Sequence, residues 1–176
     1  MAWTKDTSAA TIIFYYFTQD LFDRVNALSL YKAKAIKNGQ GESQIDEFAM
    51  TQGERSAFNI FMPSVATKVF GMVIKIANAV SGAFVINGDI PIGSESVAME
   101  DVYGFTINDN AAYDDNSLTP VDKGILDMLT YGCLSDWYEL NNLDDQAAKA
   151  LAKYNDLRID MINKRLFDLR KPLLSL

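Results

Sequence analysis

The stretch from Leu134 to Leu176 constrains the fold most. Leu134-Ser135-Asp136-Trp137-Tyr138-Glu139-Leu140 closes one helical run on a Trp-Tyr pair, and a short Asn-Asn-Leu-Asp break follows. A second run then continues without glycine or proline to Arg170. Ala147, Leu151, Tyr154, Leu157, Met161 and Ile162 give this last helix an apolar stripe. Asp144 and Asp145 suit its positive end, and Lys164, Arg165, Arg170 and Lys171 suit its negative end. Trp137, Tyr138 and Tyr154 are expected in the core. Pro172 ends the helix and leaves Leu173, Leu174 and Leu176 on a tail, 171–176, expected to dock on a partner surface.

Upstream, the run from Asp6 or Thr7 to Ile36 has no proline or glycine. Ala10, Phe14, Phe17, Leu21, Val25, Leu28, Tyr31 and Ala35 recur at helical steps, which predicts one helix roughly 45 Å long. Its block Ile12-Ile13-Phe14-Tyr15-Tyr16-Phe17 is apolar all round, so such a helix is buried or meets two neighbours. Asn38-Gly39-Gln40-Gly41 stops it. Thr51 and Glu54 form the Thr-x-x-Glu pattern of a capping box, opening a helix through Phe58, Met62, Val65, Val69, Val73 and Val80 that proline at Pro63 is expected to kink.

From Ala83 the character changes. Phe84-Val85-Ile86 and Val102-Tyr103-Gly104-Phe105-Thr106-Ile107 are β-branched and aromatic, which predicts two short strands joined by a long connection from Gly88 to Asp101. Thr119 as N-cap and Pro120 at the first helical position predict the start of the helix that ends at Leu140. The fold expected is therefore mainly α: one domain over 1–176, a long-helix bundle with a small β-hairpin-like insertion at about 83–110, within a non-helical segment 83–118.

The chemistry in the chain is sparse. Among 176 residues there is no histidine and one cysteine, Cys133, in an apolar helical run. Without histidine, Ser-His-Asp and Cys-His nucleophiles are excluded, as is the usual general base. One thiol cannot form an intrachain disulfide or a thiolate zinc site. Asn108-Asp109-Asn110 and Asp114-Asp115-Asn116 lack the glycine and closing acid of an EF-hand and read as solvated turns. The glycines Gly88 and Gly93 precede no Lys-Ser/Thr and make no phosphate loop. The net charge of −7 disfavours binding to nucleic-acid backbones. An acidic surface is still compatible with a conduit through which DNA slides. No enzyme, cofactor or metal is expected, and no membrane span: Lys68, Lys75 and Asn78 interrupt the apolar stretch Val65–Ile86.

The order of these elements resembles the head–tail connector (adaptor) proteins of tailed bacteriophages, with a flavour closest to the crAss-like group. The likeness runs from about Glu47 to Arg170. It starts with a helix opening on an acid-arginine step, Glu54-Arg55, and continues through a long helix. The hairpin follows, then the helix ending in Trp137-Tyr138, and last the helix carrying Gln146-Ala147-Ala148-Lys149 to Tyr154. The resemblance implies a virion structural protein, assembled in the host cytoplasm and placed in the neck. It would form a homo-oligomeric ring of about a dozen copies that extends the portal channel for DNA passage. Portal and neighbouring neck or tail proteins would be its partners, and DNA would only pass through.

On that reading Phe14, Phe17, Phe84, Tyr103, Phe105, Arg170, Lys171, Leu173, Leu174 and Leu176 are expected to contact copies of the chain or the portal. Asp109, Asp114 and Asp115 are expected to face the lumen. The alternative is a helical adaptor or regulator that binds one protein partner through the helix around Pro63.

Overall fold

The computed structural model describes residues 3–6, 11–76, 84–92, 97–108 and 115–165. Its N-terminal elements are strands, β1 (Trp3–Asp6) and β2 (Thr11–Phe17), followed by α1 (Thr18–Ala35), the single turn α2 (Ile45–Phe48) and α3 (Arg55–Ile76). Strands β3 (Phe84–Ile92) and β4 (Val97–Asn108) follow, then helices α4 (Asp115–Leu140) and α5 (Asp144–Asp160). The four strands form one antiparallel sheet in the order β1-β2-β4-β3. This is an α+β fold, and it corrects the expectation of a long-helix bundle with a small insertion. The hairpin is not an insertion either, because β4 is an inner strand of the sheet. The expected connection 88–101 is largely strand on both sides, and 115–118 belong to α4.

The correction turns on Ile12–Phe17. A block apolar at every position satisfies a helical and a two-residue period alike; its aromatic and β-branched content favours the strand. In the sheet, Ile12, Phe14 and Tyr16 face the helices and lie opposite Ile107, Phe105 and Tyr103. All six are buried. Ile13 and Val102 form a small cluster on the other face, with Tyr15 and Val85 partly covering it. Helical conformation begins only at Thr18.

The core is aromatic where sheet meets helices. The Phe14 and Phe105 rings stack at 5.1 Å, and Phe70 of α3 packs on Phe105 at 4.8 Å. Phe22 of α1 meets Phe58 of α3 edge-on at 5.4 Å. The Arg55 guanidinium lies over Phe22 at 4.3 Å and donates to Gln19 Oε1 at 2.9 Å, so the acid-arginine step is a cation–π clamp between α1 and α3. The adjoining capping box forms: the Thr51 amide donates to Glu54 Oε2 at 2.8 Å, and the Thr51 hydroxyl accepts from the Gly53 amide at 3.3 Å.

Residues 52–76 are long and apolar enough to cross a membrane by composition, with a mean hydropathy of 1.5. Their buried residues, among them Phe58, Met62, Val65, Val69 and Val73, fall on one stripe, while Ser56, Asn59, Ser64, Thr67, Lys68 and Lys75 face water. The helix is therefore two-sided, with one stripe on the core and the other face, Ile60 included, exposed. The helix runs on through Pro63, and exposed Asn59, whose carbonyl loses its helical donor there, is open to solvent. Helix α4 begins at Asp115, so Thr119 is not its N-cap: its hydroxyl donates to the Asp115 carbonyl at 2.9 Å, one turn back.

The Asn-Asn break is a Schellman turn. Asn142 takes the left-handed conformation (φ 57°), Leu143 N donates to Tyr138 O at 2.9 Å, and Asn142 N donates to Glu139 O at 3.1 Å. This turns α5 back along α4. Gly132 permits the close approach of α3 to α4, since a Cβ there would lie 2.6 Å from Val65 Cγ1. Trp137, 4% exposed, donates from Nε1 to the Phe48 carbonyl at 2.9 Å and ties the loop after α1 to α4. The buried Ser29 hydroxyl accepts from the Met50 amide at 2.9 Å and pins the same loop to α1.

Two stability measurements check this packing. Trp137→Ala is expected to cost about 3–5 kcal/mol in denaturant unfolding; a cost near zero would contradict the burial described. Gly132→Ala is expected to destabilise by about 1–3 kcal/mol despite alanine's better helix propensity. Combining it with Val65→Ala is expected to give a smaller loss than the sum of the two; strict additivity would show that the α3–α4 contact is loose.

Candidate functional site

Helices α1 and α4 run alongside each other, and the groove between them holds two clefts of opposite charge. At the start of α1, Tyr15, Tyr16, Phe17, Asp20, Leu21, Asp122 and Leu126 line a cleft of about 270 Å³. The Tyr16 hydroxyl donates to the Asp122 carbonyl at 3.4 Å. Burial, and then the Asp122 carboxylate beside it, push the Tyr16 phenol well above its ordinary range. Phe17 is 40% exposed at the mouth.

Further along the same helices a second cleft, about 210 Å³, has Leu28, Tyr131, Leu134 and Tyr138 among its floor residues. Lys32 of α1 and Lys149 and Lys153 of α5 rim it. All three lysines are exposed, and none makes an ion pair among the described residues. Lys149 and Lys153 stand one turn apart on the same helix face, a like-charge spacing that weakens a helix unless an anion answers it. Tyr138, 3% exposed, has a buried hydroxyl with no hydrogen-bond partner among the described residues. Such a group costs about 1–3 kcal/mol until an acceptor meets it. Burial, and then neighbouring Tyr131, push its phenol up to about 12.

Between the two clefts, Arg24 and Asp127 form an ion pair, and Arg24 Nε donates to Thr130 Oγ1 at 3.1 Å. The Thr130 hydroxyl in turn donates to the Leu126 carbonyl at 2.7 Å. This network staples α1 to α4 and separates the acidic end of the groove from the basic end.

The third notable feature is the far half of the β3–β4 hairpin. Strand β2 pairs with β4 only from Asn108 back to Val102, opposite Phe17. Val97–Met99 pair with β3 alone, through Ile92, Pro91 and Ile90. Register shifts at Ile86/Gly88 and Gly88/Ile90, with left-handed Asn87 (φ 51°) and Asp101 (φ 54°), mark where this two-stranded arm leaves the sheet. The Thr18 hydroxyl donates to Asn87 Oδ1 at 2.8 Å and fixes the root of the arm to the start of α1.

The expected site residues divide as follows. Trp137 and Tyr138 are buried in the core, and Tyr154 is half-buried against it. Phe14, Tyr103 and Phe105, expected at an interface, are fully buried in the chain's own core, because the sheet turns them onto the helices. Phe17 is accessible, and Phe84 lies in β3 opposite Phe105. Asp115, expected to face a lumen, opens α4 and pairs with Lys5 Nζ at 3.2 Å. Asp109, Asp114, Arg170, Lys171, Leu173, Leu174 and Leu176 lie outside the described residues.

Cys133 is fully buried, and its thiol is pushed up by burial and then by Asp136. No group of three or more histidine, cysteine or acidic side chains that could hold a metal occurs among the described residues. The sequence reading missed the three-lysine rim; the signal for it was Lys149 and Lys153 at i,i+4 with no acid between them on that face. No family model matches the chain, and neither a curated protein nor a solved structure does.

Arg24→Leu is expected to destabilise the fold by about 1–2 kcal/mol, the low end reflecting the partial exposure of Arg24. The pair Arg24→Leu with Asp127→Leu is expected to recover part of that loss in a double-mutant cycle. A cycle with no coupling would mean that the pair does not hold α1 to α4.

Proposed function

We propose that the chain is a structural subunit that assembles with copies of itself, as a head-to-tail connector ring extending a phage portal channel. The observation that carries this is the arm Gly88–Ile92 with Val97–Asp101, which leaves the sheet as a two-stranded ribbon. A lone ribbon is marginal in water and gains order when something covers it. The exposed apolar side chains Tyr31, Ile60, Leu140, Leu151 and Ile159 lie on other elements, so the subunit offers apolar contact outside the arm. Different surfaces on one subunit suit a head-to-tail contact, and head-to-tail contacts close into a ring when the rotation from copy to copy returns to its start. The order of elements that resembles connector proteins adds to this. The net charge of −7 suits a lumen that must not hold DNA.

The adaptor reading has one observation in its favour: Ile60, 70% exposed, stands beside Pro63 on α3. Mass photometry of the chain, free and mixed with purified portal, separates the two readings. A closed ring of about a dozen copies, or ring assembly on the portal, is the expected result. A dominant monomer under both conditions, or a discrete dimer indifferent to portal, would reject the connector.

A further inference from the structure

We propose that the β3–β4 arm of one copy docks in the lysine-rimmed cleft of the next. The argument starts with charge. On its two strands the arm carries Asp89, Glu100 and Asp101 near its root and no lysine or arginine, followed outward by the apolar runs Ile90-Pro91-Ile92 and Val97-Ala98-Met99. The cleft has the opposite character, with Lys32, Lys149 and Lys153 around an apolar floor. The three exposed lysines have no ion-pair partners among the described residues, and Lys149 and Lys153 repel each other at i,i+4, a repulsion that carboxylates from outside the cleft would relieve.

The manner of docking follows from the edges of the arm. Strand β3 is the edge of the sheet, and Pro91 removes a donor from it. On the other side, β4 from Val97 to Asp101 has passed the end of β2, and it ends on two acids at left-handed Asp101. Both edges are therefore blunted against the addition of another strand. What remains for recognition is composition: apolar residues and carboxylates on the arm, an apolar lining and lysines at the cleft.

Placement makes the contact intermolecular. The root of the arm is fastened at Thr18, the first residue of α1, whereas Leu28 and Lys32 of the cleft lie roughly 15–20 Å further along that helix. Donor and acceptor surfaces are thus separate, and the contact is head-to-tail. The proposal rests on the ring reading only in requiring that copies of the chain meet.

Disulfide trapping tests it, with the native Cys133 fully buried and out of reach. Two singly substituted chains, Glu100→Cys and Lys153→Cys, are mixed at micromolar concentration and oxidised. The control replaces Lys153→Cys with Lys123→Cys, exposed on α4 away from the cleft. The expected result is a mixed disulfide dimer at least about tenfold more abundant than in the control, lost when Lys32→Glu and Lys149→Glu are added to the acceptor chain. Circular dichroism confirms that the acceptor remains folded. Equal yields in both mixtures would overturn the proposal. Rings without the mixed disulfide would reject this contact and leave the connector reading standing. The mixed disulfide in a chain indifferent to portal would do the reverse.

Discussion

The pairing of β2 with β4 is the constraint on which the rest of the molecule depends. It joins a strand near the start of the chain to one that arrives only after α1 and α3. Phe14 on Phe105, with Phe70 added from α3, closes the sheet onto the helices at one aromatic contact. Pairing of such sequence separation must overcome loop-closure entropy before its contacts return anything. The helices that pack on this sheet are therefore held by it as much as they hold it.

From the same pairing follows the shape of the surface. Strand β2 ends at Phe17, whereas β4 continues in the other direction to Val97, so the hairpin outruns its own sheet. The place where it leaves is fixed, through left-handed Asn87 and its hydrogen bond to Thr18. Helix α1, starting at that hydrogen bond, carries the groove against α4 away from the arm. The Arg24–Asp127 pair divides that groove into acidic and basic ends. A polarised subunit with an acidic projection and a basic cleft on separate surfaces suits the head-to-tail association we propose.

Much of the local structure was legible in the sequence because its cause is local. The Thr51–Glu54 capping box, the Asn-Asn turn between α4 and α5, and the burial of Trp137 depend on neighbours a few residues away or on a helical stripe. The first element was not legible in the same way. In Ile12–Phe17 every position is apolar, so the helical series through Phe14, Phe17 and Leu21 coincides with a strand that is covered on one face by helices and partly covered on the other. Only the partner β4 decides between them, and it lies far along the chain. The lysine rim was obscured for a similar reason. Lys32 joins Lys149 and Lys153 only once α5 has folded back over α4. Phe14, Tyr103 and Phe105, expected at an interface, are buried by the same pairing: a helix at Phe14 and a lone hairpin at Tyr103 and Phe105 would leave these side chains uncovered, and the β2–β4 sheet turns them onto the helices.

Hydrogen exchange followed across a concentration series tests the central claim most directly. The account expects amides of Thr11–Phe17 and Val102–Asn108 to be protected at every concentration. Those of Ile90, Ile92 and Val97–Asp101 are expected to gain protection together with the segment Lys149–Lys153 as copies associate. An arm whose exchange does not change with concentration, or a β2 that exchanges freely while β4 is protected, would contradict it.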